Sequence, residues 1–328
     1  MTYKSLQKYL QDCTAFENPI LVTGHPAPDT DAVVSALFEA WRLTLSGIPA
    51  VPVVQGTLSR ETAWLLGDVT IPNCPPSADG WVLTDHHDVD RYDGRVVAIV
   101  DHHPVAQGVD LSGIDVCIRP VGAATTIVAE RLKQAETSPD AACARILLGA
   151  ILLDTEGLSP HKATPADVAM AEWLAALWGE APMPLYDALT EQLLSETDPA
   201  VLYARDYRTY TAPDGTPLMG FAILKVRRDN PPDLAYLRRR LAQEIADGGY
   251  AAAVAKVVLY APDGSREERY LAAGPSAETV LTEVAARSGP SARRTAPDEV
   301  LLPADCYHWG RKRYALWLLE KLGLDCSP

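Results

Sequence analysis

Two tripeptides, Asp85-His86-His87 and Asp101-His102-His103, hold four of the seven histidines in this 328-residue chain. Random placement of so few histidines gives on the order of 0.1 adjacent pairs, so the repetition asks for a chemical reason. Imidazoles and carboxylates together are donors suited to Mn, Fe, Co or Zn. A third stretch, I-L-V-T-G-H-P-A-P-D-T-D-A-V-V-S-A-L-F from Ile20 to Phe38, adds His25, Asp29 and Asp31. Asp154 closes a further apolar run, Ala141 to Leu153. Asp29 is also a preferred helix cap, favoured at the positive end of a helix dipole, so on its own stretch capping and ligation stay open. Taken together, His25, Asp29, Asp31, Asp85, His102 and Asp154 offer N and O donors for two divalent ions. One carboxylate can bridge such ions, and two ions lower the pKa of a shared water.

Donors so far apart in sequence need elements that bring them to one place. Ile20 to Val22 reads as a buried strand that stops at Gly24, and Ala32 to Leu45 as an amphipathic helix stopped by Gly47. Strands are expected at Ala50–Val54, Trp81–Thr84, Arg95–Val100 and Ile114–Ile118. Helices are expected over residues 3–16, from Ser59 to Leu66, after Gly122 to about Ala135, and over Ala141–Leu153. Another spans Pro165–Trp178, with Thr164 as its cap and Pro165 at its first position. Short apolar strands alternating with helices imply a largely parallel sheet covered on both faces. Both Asp-His-His tripeptides end a strand. In open α/β sheets ligands bind at the carboxyl ends of the strands.

The pattern changes after residues 181–200, which hold three prolines and one further short helix and suit an interdomain connection. Pro217–Val226, Ala252–Leu259 and Arg269–Ala272 read as strands, with a hairpin turn at Ala261-Pro262-Asp263-Gly264. Helices are expected over Pro231–Ala246, Glu278–Arg287 and Tyr314–Leu322, and Ser288–Pro297 as a loop. Arg238-Arg239-Arg240, with Glu244 four residues beyond Arg240, reads as an exposed, paired helix face. The expected fold class is α/β: a mostly parallel N-terminal domain over residues 1–185, a linker over 186–200, and a smaller α+β domain over 201–328.

A net charge of −14 argues against nucleic acid or an anionic membrane as partner. A phosphate-rich substrate would then need metals or a local basic cluster. The six cysteines show no C-x-x-C spacing and read as reduced thiols. No signal peptide and no apolar run of about 18 residues is present, so a cytoplasmic location is expected.

G-H-P-A-P-D-T-D, L-T-D-H-H, V-D-H-H-P and L-L-D-T resemble the motifs of the DHH phosphoesterase superfamily. P-V-G-A-A-T-T-I is similar to its helix-opening segment after the last strand. Gly310-Arg311-Lys312-Arg313 resembles the Ser-Arg-Lys-Lys motif of the branch that holds family II inorganic pyrophosphatases, exopolyphosphatases and prune-like proteins. The resemblance runs from about Ile20 to Tyr314. It implies two Mn2+ or Co2+ ions, one on His25, Asp29 and Asp85 and one on Asp31, Asp85, His102 and Asp154, with Mg2+ carried by the substrate. It further implies that His103 faces the scissile phosphate and that Asp101 orients a ligand imidazole. Arg311 and Lys312 are implied as a clamp on the distal phosphate, with Arg208 where the family has a lysine. The site is then expected in the cleft between the domains.

The expected substrate is a small phosphate anion, pyrophosphate ahead of short polyphosphate. Asp-His-His at residues 85–87, where pyrophosphatases usually have Asp-His-Asn, and L-S-P-H-K-A-T-P-A-D after Asp154 lean towards exopolyphosphatases and prune-like proteins. A phosphodiesterase of oligonucleotides or cyclic dinucleotides would carry a G-G-H motif, where this chain has Gly248-Gly249-Tyr250. A non-enzymatic, prune-like binding module is the remaining alternative. The resemblance leaves room for a homodimer.

Overall fold

The computed structural model describes residues 5–72, 77–92, 95–105, 109–263, 265–302 and 311–326, the side chains of Arg311 and Lys312 apart. Gly264 and Gly310, Cys74 and Cys306 lie outside the described residues. The chain divides into two compact units, residues 1–192 and 193–328.

In the first unit, strands β1 (Ile20–Thr23), β2 (Ala50–Val53), β3 (Gly80–Thr84), β4 (Val96–Asp101) and β5 (Asp115–Ile118) form one sheet in the order β2-β1-β3-β4-β5. Every pairing in it is parallel, as the alternation of strands and helices predicts. Helices α1 (Leu6–Asp12), α2 (Thr30–Leu45), α3 (Arg60–Leu66), α4 (Ala124–Gln134), α5 (Ala141–Asp154), α6 (Pro165–Trp178) and α7 (Pro182–Leu194) complete the unit's helices, α7 reaching just past its end. α2 and α5 are buried nearly all round, with Val33, Val34, Leu37, Phe38, Leu147, Leu148 and Ile151 almost wholly enclosed in one core. Burying a side chain of this size contributes about 1.5–3 kcal/mol, so these two helices, each bearing site residues at one end, are held firmly. Residues 181–200 are largely helical, because Pro182 occupies a first-turn position that proline tolerates.

The second unit holds α8 (Pro199–Arg205), β6 (Tyr207–Thr211), β7 (Pro217–Arg227), α9 (Leu234–Gly248), β8 (Ala252–Tyr260), β9 (Arg266–Ala273), α10 (Ala277–Arg287), β10 (Arg293–Ala296), β11 (Glu299–Leu302) and α11 (Arg311–Lys321). Its sheet runs β10-β11-β9-β8-β7-β6, with β7 and β8 parallel and the other pairs antiparallel. The expected loop at Ser288–Pro297 is in part the edge strand β10. Its residues are mostly exposed, so it lacks the apolar alternation by which a strand is read from sequence. Arg240 pairs with Glu244 at 2.5 Å, as the spacing suggests, but Arg238 instead reaches Asp298 and Glu299 beside β11.

Gly249 follows α9 in the left-handed region, at φ 64°, and its N–H donates to the Ile245 carbonyl. The Gly-Gly pair therefore ends a helix. Among the described residues, no helix is long and apolar enough to cross a membrane, and Cys13, Cys117, Cys143 and Cys326 are unbridged.

Candidate metal centre

The carboxyl ends of β1, β3 and β4 lie side by side, which brings His25, Asp85, Asp101, His102 and His103 to one edge of the first sheet. Gly24 makes the first turn possible. A Cβ there would lie 2.5 Å from the Ala32 carbonyl oxygen, so only glycine lets the strand end pass this close to α2. Asp29 then caps α2, its Oδ1 accepting from the Ala32 N–H at 3.0 Å. Its Oδ2 lies 3.7 Å from His25 Nε2, so one carboxylate both caps the helix and faces the imidazole.

Asp31 is 2% exposed and accepts the backbone N–H groups of Ala124 and Thr125, at 2.6 and 2.8 Å. Ala123, at the cap position of α4, has no side-chain oxygen to offer. The cap thus comes from Asp31 in α2, and the same bonds pin that carboxylate. Asp85 follows β3 with φ 61°, a left-handed conformation that aspartate tolerates at some cost. Its N–H donates to the Val100 carbonyl, and its side chain is 2% exposed. Asp85 Oδ2 lies 3.4 Å from His25 Nε2 and Oδ1 lies 3.1 Å from His102 Nε2. Asp154 ends α5, with Oδ2 3.6 Å from His102 Nε2.

Each of the two inner imidazoles, His25 and His102, is turned by its other nitrogen. His25 Nδ1 donates to the Pro26 carbonyl and His102 Nδ1 to the Val121 carbonyl, both at 3.0 Å. A carbonyl can only accept, so each ring presents Nε2 to the carboxylates. His103 is the most exposed of the three, and its Nδ1 donates to Asp101 Oδ1 at 2.9 Å, leaving Nε2 outward. Asp101 is fully enclosed and also accepts the backbone N–H groups of His102 and His103.

Donor atoms of His25, Asp29 and Asp85 lie within 4.8 Å of one another, as do those of Asp31, His102 and Asp154, and those of Asp85, Asp101, His102 and His103. The electrostatics ask for cations. Burial and the neighbouring Asp85 and Asp154 charges raise Asp31 well above the carboxylate range. Burial pushes Asp154 up to about 6 despite the nearby His102. Burial disfavours charge on His25 and His102, but the facing carboxylates outweigh it and push both up to about 11. Protons on these rings offset part of the negative charge of the carboxylates around them. Asp85 Oδ1 is buried and accepts no hydrogen bond of good geometry. Imidazole nitrogens, mixed carboxylates and an unsatisfied buried oxygen fit divalent transition ions.

The other expected site residues lie in the second unit. Arg208 is in β6, where its Nη1 donates to the Tyr207 carbonyl at 2.9 Å. Arg311 and Lys312 open α11, and their side chains are outside the described residues. Two residues escaped the sequence reading. His87 Nδ1 lies 2.5 Å from Asp101 Oδ2, a contact that its place in the first Asp-His-His could have flagged. Asp167, fully enclosed, accepts from Gly122 N, Thr126 Oγ1 and Thr164 N, and so ties the segment before α4 to the start of α6.

This geometry agrees with the comparisons. Residues 19–153, from β1 to the last turn of α5, match the DHH family, N-terminal domain. A Streptococcus thermophilus protein named probable manganese-dependent inorganic pyrophosphatase is 33% identical over 172 residues, covering 49% of this chain and 56% of the relative. A Brevibacillus brevis protein of the same name is 32% identical over 199 residues, covering 53% of this chain and 64% of the relative. The chain thus spans little more than half the length of these relatives. A Methanococcus jannaschii protein, provisionally assigned as a family II inorganic pyrophosphatase, has a crystal structure that aligns with a TM-score of 0.68 at 23% identity. The alignment covers 92% of this chain and 98% of that one, a likeness of fold across both units.

Proposed function

We propose that this chain hydrolyses a phosphoanhydride bond, that of inorganic pyrophosphate first, with two divalent cations, Mn2+ or Co2+. The observation that carries the reading is the placement of Asp85, whose two carboxylate oxygens face His25 on one side and His102 on the other. His25, Asp29 and Asp85 would hold one ion, and Asp31, Asp85, His102 and Asp154 the other. When bound, such a pair supplies a water of lowered pKa and a Lewis acid for phosphoryl oxygens.

The chain's own residues do the rest. Backbone carbonyls fix the tautomers of His25 and His102, so that both Nε2 atoms are available as donors. Asp101 accepts the Nδ1–H of His103 and, with Asp85, favours the protonated ring, whose Nε2–H can then donate to a phosphoryl oxygen as charge develops there. Arg208, Arg311 and Lys312 of the second unit are proposed to neutralise the distal phosphate, Arg as a fork and Lys as a point charge. The names of the two bacterial relatives support manganese and pyrophosphate.

Short polyphosphate is the second reading. Lys162, in the segment after Asp154, donates Nζ to the Asp154 carbonyl at 3.2 Å and puts a cation beside the pit. A phosphodiesterase is disfavoured, because the Gly-Gly pair in the second unit ends a helix and no histidine follows it.

Phosphate release from pyrophosphate, tripolyphosphate and a dinucleotide, in parallel with Mn2+, tests the proposal. A clear preference for pyrophosphate is expected. Tripolyphosphate cut to pyrophosphate that then persists would move the reading to an exopolyphosphatase. No release from any of the three, with manganese bound, would sink the hydrolase.

A further inference from the structure

Asp101 is surrounded by donors on both oxygens. Oδ1 takes the backbone N–H groups of His102 and His103, at 2.7 and 3.1 Å, and His103 Nδ1 at 2.9 Å. Oδ2 takes His87 Nδ1 at 2.5 Å. The carboxylate is fully enclosed, and the His87 side chain is only 12% exposed. An enclosed carboxylate oxygen without a donor is costly, and no other donor to Oδ2 is found among the described residues. Asp101 is held far below the carboxylate range because the bonds from His103 and His87 outweigh its burial.

From this geometry we infer that His87 is a positioning residue for the reaction: through Asp101 it sets the ring plane of His103 and keeps a proton on its Nδ1. The order is His87 Nδ1–H to Asp101 Oδ2, then Asp101 Oδ1 to His103 Nδ1–H, which leaves His103 Nε2 outward. The inference rests on the proposed role of His103 and adds what fixes that imidazole. An asparagine amide places an N–H donor near where histidine has Nδ1, whereas leucine fills similar space with no donor. The chemistry therefore predicts that His87→Asn works and His87→Leu does not.

The test uses the whole chain in three forms: wild type, His87→Asn and His87→Leu. Long-range 1H–15N spectra of histidine-labelled, Mg2+-loaded protein report the His103 Nδ1–H, and phosphate release with Mn2+ reports turnover. His87→Leu is expected to lose the slowly exchanging His103 Nδ1–H signal and about 10–100-fold in kcat, the usual cost of removing such an outer partner. Its manganese content should be unchanged, which separates mispositioning from a smaller folded fraction. His87→Asn should restore both the signal and most of the turnover. A His103 signal and kcat in His87→Leu equal to wild type would overturn the inference, as would His87→Asn behaving no better than His87→Leu. Should His87→Leu not fold, loss of the His103 signal in His87→Asn overturns it alone. If wild type cuts no pyrophosphate, the proposed function fails, and the spectra still judge the His87–Asp101–His103 linkage.

Discussion

Charge is buried in both units, on opposite terms. In the first, Asp31, Asp85 and Asp101 are at most 2% exposed, and Asp29 and Asp154 stand beside them at the sheet edge. In the second, Lys256 and Glu268 are 3% and 1% exposed and meet at 2.5 Å, one cation to one anion. Tyr270 donates its hydroxyl to Glu268 at 2.8 Å, and the rings of Tyr270 and Tyr314 lie within 5.8 and 5.1 Å of the ammonium. Among the described residues this buried pair sets one charge directly against its opposite. The carboxylate pit is not balanced in this way: among the described residues, five carboxylates face two imidazoles at their centre, with Lys162 at the margin. A buried charge that the chain leaves uncompensated is the better pointer to a ligand.

Three experiments would break or sharpen that contrast. The largest effect is expected from Lys256→Met, which strands the Glu268 charge in the core. Losing one partner of such a pair costs about 3–5 kcal/mol, readable by urea unfolding. The double variant Lys256→Met/Glu268→Leu should recover most of the loss, since apolar replacement of a buried pair is often neutral. Failure of that recovery would mean the pair does more than balance itself.

Next is Asp85→Asn, which removes the charge that both proposed ions would share. Manganese affinity should fall by at least about a hundredfold, because even outer partners of ligands cost 10–100-fold. Calorimetric titration measures it, and a circular dichroism spectrum like that of wild type is expected, as the enclosing core is untouched. Undiminished affinity would remove Asp85 from the site.

The smallest effect is on pH dependence. His25 and His102 hold their protons up to about 11 in the metal-free chain, because the facing carboxylates outweigh burial. An ion takes the same Nε2 atoms only after those protons leave, so the loaded state binds fewer protons and affinity rises with pH. For each proton displaced, apparent affinity should drop about tenfold per unit of acidification near neutrality. Calorimetry in buffers of different ionisation enthalpy counts the protons, and none released would show that other donors hold the ion.

Much of the first unit was legible because its physics is local. Continuous apolar runs mark β1, β3 and β4, and a strand buried on both faces needs no partner to be recognised. The candidate donors stood out by type and by their position at the ends of strands and helices. What the second unit hid was equally physical. β6 and β10 are half-exposed or exposed edge strands, stabilised by pairing with neighbours distant in sequence and lacking any internal pattern. Arg238 read as a solvated face until Asp298 and Glu299, sixty residues on, came within reach.

By itself, the sequence determined which donor atoms exist, their chemical softness and the strands that carry them, since these follow from residue type and short-range periodicity. Only the tertiary structure decided how each donor is held. That Asp31 caps α4, that Asp85 sits left-handed between two imidazoles, and that His87 and His103 share Asp101 depend on contacts between segments 14 to 94 residues apart or on backbone geometry at a strand end. Hydrogen bonds act over about 3 Å, and nothing in a linear chain fixes which distant groups will close that gap.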